Sequence, residues 1–597
     1  MQARDETRRV PHGSNPDTGI GRRRATGRRP PGPGRGCATL EDVTAPRARS
    51  ASRYGQGQWA LGYREPLNPN ERTKKDDDPL NVKRRILDVY AHTGFRGIDP
   101  ADLRGRFRWY GLYTQRAAGI PGGRTAVLEP EELEDEFFML RIRIDGGALS
   151  AEQLRCVAGI AGEFGRDVAD VTDRQNVQLH WIRIEDMPEI WRRLDAVGLD
   201  TTEACGDTPR VILGCPLAGV AADEVLDATA SLRAVRDRYV GDPAFSNLPR
   251  KYKSSISGCS RHCTNHEIND ISFVGVTGPD GRPGFDLWVG GGLSTNPRFA
   301  ERLGAFVEPD RVAAVWAGVT SVFRDYGYRR SRQHARLKFL LADWGPERFR
   351  QVLEKEYLDG ALPDGPAPEP YDGHRGHAGI TPQVGGRVAV GFAPRAGRTS
   401  GTQLARVAAL AEEYGAGRVR TTAQQQLVIL DVPGQRVDAL VAELAADDLP
   451  VRPTPFRQGT MACTGIEFCK LAIVETKQRA RELTAELERR LPDFDQPVTI
   501  NLNGCPNSCA RFQVADIGFK GSVARGPDGG DVEVYQVHLG GHLGGEAALG
   551  RKFRGLKVPA DEAADYVERV LRGYAERRAP GEAFAAYVAR AEEAWLR

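Results

Sequence analysis

No run of eighteen apolar residues occurs in the 597-residue sequence, so no segment reads as a membrane span. The apolar stretch of a secretory signal is also missing, and none follows the twin arginines near the start. No flavin or nicotinamide fingerprint is evident, so redox chemistry here would need electrons delivered by a partner. The ten cysteines are clustered rather than spread as a disulfide framework, which suits a reducing cytoplasm. Net positive charge is confined to the first fifty residues. Of the net +3, residues 1–50 hold about +6 (eleven Arg, no Lys, five acidic residues), leaving about −3 for the remainder. That excludes a polybasic nucleic-acid binder. Residues 1–56 combine Arg, Pro and Gly with almost nothing to bury and are expected to be a disordered, dispensable tail.

From Gly57 onward the composition is globular, with length for about three or four domains. Four cysteines organise it: Cys463 and Cys469 as C-x5-C, then Cys505 and Cys509 as C-x3-C. Four thiolates at one point suit zinc or an iron–sulfur cluster. The spacing matches neither the usual zinc pairs nor a ferredoxin run.

An internal repeat is equally informative. SAEQLRCVAGIAGEFG (150–165) recurs as SGTQLARVAALAEEYG (400–415), with Ser150, Gln153, Leu154, Val157, Ala158, Ala161, Glu163 and Gly165 repeated at an offset of 250. Apolar residues step by three and four, giving an amphipathic helix in each copy. Strand-like runs at 138–144 and 387–392 precede the helices, and runs at 177–184 and 426–432 follow. Each copy therefore reads as a strand–helix–strand–helix module. Downstream, SGCSRHCTNHEINDISF (257–273) aligns with NGCPNSCARFQVADIGF (503–519) at an offset of 246. The chain is thus expected to be two halves of α+β class about a pseudo-two-fold axis, with any cofactor between them touched by both. Residues 104–116 alternate Arg and aromatics, like an amphipathic strand. The Pro/Gly-rich stretch 360–379 reads as the linker between halves.

The duplication bears on the cluster. Cys259 and Cys263 reproduce the C-x3-C, and Cys215 is the counterpart of Cys463, but Ala221 stands where a fourth cysteine would be needed. The N-terminal copy alone cannot supply four thiols, so one cluster is expected, in the C-terminal half. Cys259 and Cys263 are expected to be buried structural thiols, the alternative being an accessory metal or redox pair.

MACTGIEFCKLAIVETK (461–477) and NGCPNSCARFQVADIGFKG (503–521) resemble the cluster segments of sirohaem-dependent sulfite and nitrite reductases, most closely the ferredoxin-dependent sulfite reductases of actinobacteria. The resemblance runs from about Gly57 to the C-terminus. It implies two ferredoxin-like modules (within 57–200 and at 380–450) and two sirohaem-binding α+β modules (201–365 and 451–597). It implies a 4Fe–4S cluster on Cys463, Cys469, Cys505 and Cys509, with Cys509 bridging to the sirohaem iron. Sulfite would be held by Arg141, Arg210, Lys251 and Lys253, the two lysines facing one way on an extended strand. Arg116, Arg174, Gln175, Asn176, Asn503, Asn507 and Arg511 are the implied sirohaem contacts. His542, in a glycine turn, suits a turn histidine as well as a cofactor contact. A thioether between Tyr113 and Cys205 is implied, with Tyr110 the alternative partner. Reduced ferredoxin would donate to a monomer. The rival readings are a nitrite reductase on the same scaffold and, in another class, a zinc-stabilised binding protein.

Overall fold

The two copies of the repeated helix fold alike because the same residues do the same work. In the computed structural model, which describes residues 57–65 and 68–597, Ser150 caps the helix Ala151–Phe164. Its Oγ accepts from Gln153 N at 3.1 Å, and Gln153 Oε1 accepts from Ser150 N at 2.9 Å. Ser400 Oγ likewise accepts from Gln403 N at 3.0 Å to start Gly401–Tyr414. Such caps satisfy amide groups that a helix start leaves unpaired. The repeated apolar positions form the buried stripes, Leu154, Val157, Ala158 and Ala161 matching Leu404, Val407, Ala408 and Ala411. The expected tail, 1–56, lies outside the described residues.

Around each helix stands a five-stranded sheet, and each sheet borrows a strand from the other half. The first runs Leu112–Arg116, Glu134–Ile142, Val177–Ile182, Ala169–Val171, and then Arg398–Thr399 from the second half. The second runs Gly379–Pro382, Arg387–Phe392, Leu427–Pro433, Arg418–Thr421, and then Ala148–Ser150 from the first. Both modules share one hydrophobic core. A short extra strand after each helix makes the module strand–helix–hairpin–helix, one strand more than expected.

Each larger module is a second five-stranded sheet with its own core. Pro209–Leu213, Tyr252–Ser257 and Ile271–Thr277 run parallel, followed by antiparallel Pro283–Val289 and Glu301–Val307. The C-terminal module repeats that order with Thr460–Ala462, Ile500–Asn503, Ile517–Arg525, Asp531–Leu539 and Arg551–Pro559. Every repeated cysteine sits just beyond the end of a parallel strand. The C-x3-C loops share backbone shape: His262 and Asn265 have φ of 50° and 52°, Ser508 and Arg511 of 56° and 59°. The expected pseudo-two-fold duplication is present.

Two expectations change. Residues 104–116 are not one strand: Arg106–Tyr110 is a tight helical turn, and Gly111 at φ 75° redirects the chain into Leu112–Arg116. The 360–379 stretch is not a free linker either, because Arg375 and His377 near its end are buried.

Close approach of the paired helices makes a prediction. A Cβ on Gly401 would stand 2.6 Å from Ala158 O and 3.0 Å from Gly162 N, whereas one on Gly159 would meet nothing within 4 Å. Gly401→Val should destabilise by about 1–3 kcal/mol through overpacking. Gly159→Ala, at an exposed helical site, should stabilise by roughly 0.5–1 kcal/mol. Urea unfolding midpoints moving in opposite directions would bear this out.

Candidate active site

Cys463 follows directly on the strand Thr460–Ala462, and its N–H bonds Leu502 O on the neighbouring strand at 3.1 Å. Its sulfur accepts from Gly504 N at 3.2 Å, which ties the first cysteine pair to the start of the second. Gly465, at φ +74°, turns the C-x5-C loop back, and a Cβ there would strike Thr476 Oγ1 at 2.5 Å. Cys469 N then bonds Gly465 O at 2.9 Å. Burial pushes the Cys463 thiol up to about 12, and the nearby Cys509 adds to the rise. Cys469 and Cys505 are raised for the same two reasons. Three thiols that burial and the Cys509 sulfur make harder to ionise suit a cationic cluster core, which would reverse that penalty. Cys509 is exposed, the others buried or half-buried.

Of the cations expected to hold an anion, Lys251 lies within electrostatic reach of Cys509 and of Arg210, and Lys253 within reach of Lys251. Arg141, opposite Gln178 in the first sheet, donates to Gln178 Oε1 and to Cys205 Sγ. Arg210 lies on Pro209–Leu213, its guanidinium donating to Gly206 O at 2.7 and 3.0 Å. Burial would lower Arg210, but Cys205, Tyr113 and Asp207 outweigh it, so the three side chains form one group. Lys251 and Lys253 share a face beside and on Tyr252–Ser257. Burial drops Lys251 to about 8; Arg336, Arg210 and Arg250 lower it further, and Cys509 opposes them. Lys253 is lowered by burial and by Arg174. Arg250 and Arg336 belong to this field although their residue types alone did not mark them. Arg250 adjoins the lysines in sequence, but Arg336 arrives from a distant helix start and is paired with Asp270 at 2.8 and 3.0 Å.

Beside the lysines is a small cavity lined by Arg174, Lys253, Asn265 and Asn269 from one half and Arg511 from the other. Arg174 donates to Asn269 Oδ1, Val211 O and Ser254 O, and burial lowers it to about 10. Arg174 Nε and Asn265 Nδ2, buried around this cavity, have no hydrogen-bond partner among the described residues, and neither has Asn503 Nδ2. Arg511 Nε lacks a hydrogen bond too but lies 3.8 Å from the Asp173 carboxylate, which also lines the cavity. An unpaired buried donor costs roughly 1–3 kcal/mol. A group rich in carboxylates would supply the missing acceptors, so this lining fits sirohaem.

Other expected contacts are employed elsewhere. Gln175 is fully satisfied: Nε2 donates to Gly214 O and Thr421 O, and Oε1 accepts from Gly214 N. Its repeat mate Gln425 bonds Ala462 O and N in the same manner. These glutamines staple module to module. Asn176 Oδ1 accepts from Ile144 N at 3.1 Å. Arg116 lies behind the C-x5-C loop, donating to Thr125 Oγ1 and to the carbonyls of Ile120, Pro121 and Ala472. These bonds support the cluster loop and leave Arg116 Nε without a partner among the described residues. Asn507 offers its backbone N–H to Cys505. His542 Nδ1 faces Gly540 O at 3.2 Å, as in a turn histidine. Tyr113 lies against Cys205, its phenol raised to about 12 by burial and then by that sulfur. Tyr110 points away, its hydroxyl on Leu80 O and its ring against Trp191.

Since the free Lys251 loses its proton near pH 8, binding of a small oxyanion should weaken as pH rises through that value. Lys251→Met should flatten this limb while weakening binding below it. Anion titrations followed by absorbance on either side of pH 8 would check both.

Comparison with known proteins agrees with this geometry. Residues 205–360 and 456–597 match the nitrite and sulphite reductase 4Fe-4S domain, and 131–197 and 381–447 match the nitrite/sulfite reductase ferredoxin-like half domain. The chain is 57% identical over 554 residues to a sulfite reductase [ferredoxin] of Mycobacterium tuberculosis, covering 92% of this chain and 100% of that protein. It is 35% identical to an assimilatory ferredoxin-dependent nitrite reductase of Haloferax mediterranei, covering 86% and 90%. The solved structure of the Mycobacterium tuberculosis NirA protein superposes with a TM-score of 0.89 at 57% identity, covering 91% of this chain and 100% of that one.

Proposed function

The chain belongs to the nitrite and sulphite reductase family, and from this we propose that it is a ferredoxin-dependent sulfite reductase, reducing sulfite to sulfide with six electrons. The observation that supports the reading is the group of cations about Lys251, where Arg210, Arg250 and Arg336 lie within electrostatic reach together with the Cys509 sulfur. Identity to the mycobacterial sulfite reductase is well above that to the haloarchaeal nitrite reductase. Nitrite remains the competing substrate, because the same cations suit either anion.

Arg174, Asn265, Asn503 and Arg511 would hold the sirohaem carboxylates, and Cys463, Cys469, Cys505 and Cys509 the cluster, with Cys509 as the bridge. When bound, these groups supply the metal that holds the substrate sulfur and the electrons that reduce it. The protein's own part is electrostatic and protic. Arg141 and Arg210 keep their charge and fix the sulfite oxygens by charge-assisted hydrogen bonds. Lys251 and Lys253, depressed by burial, can give up protons as oxygens depart as water. With no described helix long and apolar enough to cross a membrane, and thiols that need reducing conditions, the proposed setting is the cytoplasm. Both halves of the site come from one chain, so the proposed working unit is a monomer fed by reduced ferredoxin.

We also propose that Tyr113 and Cys205 become joined by a thioether. A ring C–H and the S–H would be lost and a C–S bond formed, with two electrons and two protons passing to an oxidant such as dioxygen. The Cys205 sulfur is near enough to raise the buried Tyr113 phenol, which supports it, and Tyr110 spends its hydroxyl on Leu80 O instead. Peptide mapping should yield one branched species, lighter by two hydrogens than its parts and resistant to thiol reductants. A wholly alkylatable Cys205 would sink the crosslink.

Steady-state rates with sulfite and nitrite under one reduced ferredoxin test the main reading. Sulfite should give the higher kcat/KM; a clear preference for nitrite overturns it. Lys253→Ala should lose a charge-assisted bond of roughly 1.5–3 kcal/mol, about ten- to a hundredfold in turnover, with cofactor absorbance retained.

A further inference from the structure

The N-terminal half repeats the cysteine loops of the C-terminal half, yet its own three thiols serve nothing described so far. Cys215 follows Pro209–Leu213 as Cys463 follows Thr460–Ala462, and Cys259 and Cys263 follow Tyr252–Ser257 as Cys505 and Cys509 follow Ile500–Asn503. The missing fourth donor comes from outside the repeat. His377, near the end of the Pro/Gly-rich crossing between halves, is brought down onto the three sulfurs. The ligand atoms of Cys215, Cys259, Cys263 and His377 all lie within 4.8 Å of one another, and all four residues are buried. Relative exposure is 3% for Cys215, 8% for Cys259, 1% for Cys263 and 3% for His377.

We propose that these four residues bind a zinc ion, a closed structural Cys3His site separate from the redox centre.

Geometry favours a single ion over a cluster. Tetrahedral zinc with Zn–S bonds of about 2.3 Å places its sulfurs about 3.8 Å apart, inside the 4.8 Å within which these ligand atoms lie. A four-iron cluster must fit its metals between the cysteines and so needs a wider set. Three thiolates and an imidazole are a structural zinc donor set, with no position left open for substrate. The ring supplies a second sign: the two nitrogens of the buried His377 have no hydrogen-bond partner among the described residues other than the Cys259 sulfur beside them. A metal-bound ring would satisfy one of them. Leu217 N–H points at Cys215 Sγ at 3.4 Å, the kind of outer contact that stabilises a thiolate ligand. Zinc with three thiolates carries net charge −1, and the guanidiniums of Arg420, near Cys215, and Arg375, near Cys263, stand by to balance it. Arg375 also binds Glu267 at 2.6 and 2.9 Å, two residues from His377, so the crossing segment is already pinned on one side. Around the site, Ala389, Val428 and Leu430 of the second ferredoxin-like module pack against Leu217, Val220 and Ala221 of the first large module. The ion would fasten the crossing chain where these modules meet.

Elemental analysis and zinc K-edge absorption of the purified holoenzyme test this. One zinc per chain is expected, with a first shell of three sulfurs and one nitrogen. His377→Ala should lose the zinc while sirohaem absorbance and iron content stay at the wild-type level. If that variant fails to accumulate, His377→Cys should retain one zinc with a four-sulfur shell. Substoichiometric zinc, a shell of oxygen and nitrogen from adventitious surface binding, or iron in place of zinc would each overturn the site. So would a Cys259–Cys263 disulfide in non-reduced peptides, or zinc retained with an unchanged shell in His377→Ala.

Discussion

Asp170 is the buried charge on which the placement of the cluster loop depends. Its carboxylate, on the short strand Ala169–Val171, takes Arg398 at 2.8 Å, His180 at 2.9 Å and Lys477 at 3.6 Å. Burial alone would raise the group, but Lys477, Arg398 and His180 outweigh it and hold it far below the usual carboxylate range. Each partner belongs to a different part of the assembly. Arg398 lies on the strand lent by the second half and also reaches Glu467, inside the C-x5-C loop, at 2.9 Å. His180 stacks on Phe468 of the same loop with ring centroids 3.8 Å apart. Lys477 opens the helix that follows the loop. Removing one member of a buried ionic set typically costs about 3–5 kcal/mol, because the remaining charges stay buried. Here the loss would also free the loop that carries Cys463 and Cys469.

The exchanged strands explain why one buried carboxylate can hold so much. Arg398–Thr399 is two residues long and Ala148–Ser150 three, too short to persist as free strands. Each is fixed by what flanks it. Ser150 ends its strand and caps the next helix, and Ser400 follows Thr399 and does the same. Strand exchange and helix start are therefore one event in each half. The paired glutamines extend this: Gln175 and Gln425, both near φ 60°, bind the backbone of the large modules at equivalent points.

How much of this could be read from the residues depends on distance along the chain. The duplication was legible because capping serines, buried apolar steps and cysteine loops obey local rules, and local rules survive as sequence repeats. The two loops that carry Cys463, Cys469, Cys505 and Cys509 were legible for the same reason. The borrowed strands were not, since two or three residues carry no periodicity. Gln175 was read as a cofactor contact because a polar residue in a turn gives no sign of which backbone it will meet; in the fold its amide is spent on Gly214 and Thr421. Arg116 spends its two terminal nitrogens behind the loop and leaves Nε unpaired, which its residue type did not foretell. His377 escaped notice altogether. It sits among prolines and glycines with no partner within the repeat, and only the folding back of the crossing segment brings it to three sulfurs.

Electrostatics then separates two loops of common backbone. Around Lys251, which also feels the Cys509 sulfur, stand Arg210, Arg250 and Arg336, with Asp207 and Asp270 the acids already taken by Arg332 and Arg336. An excess of buried cations is costly until anions arrive, so this side is built to receive a cofactor rich in carboxylates and a small oxyanion substrate. Around Cys215, Cys259 and Cys263 the donors close in on a histidine instead, and apolar residues of both halves seal them from solvent. One copy of the duplicated loop keeps an open, charged approach, while the other is buried at the seam. Reactivity requires the first environment and excludes it in the second, whatever the identity of the thiols.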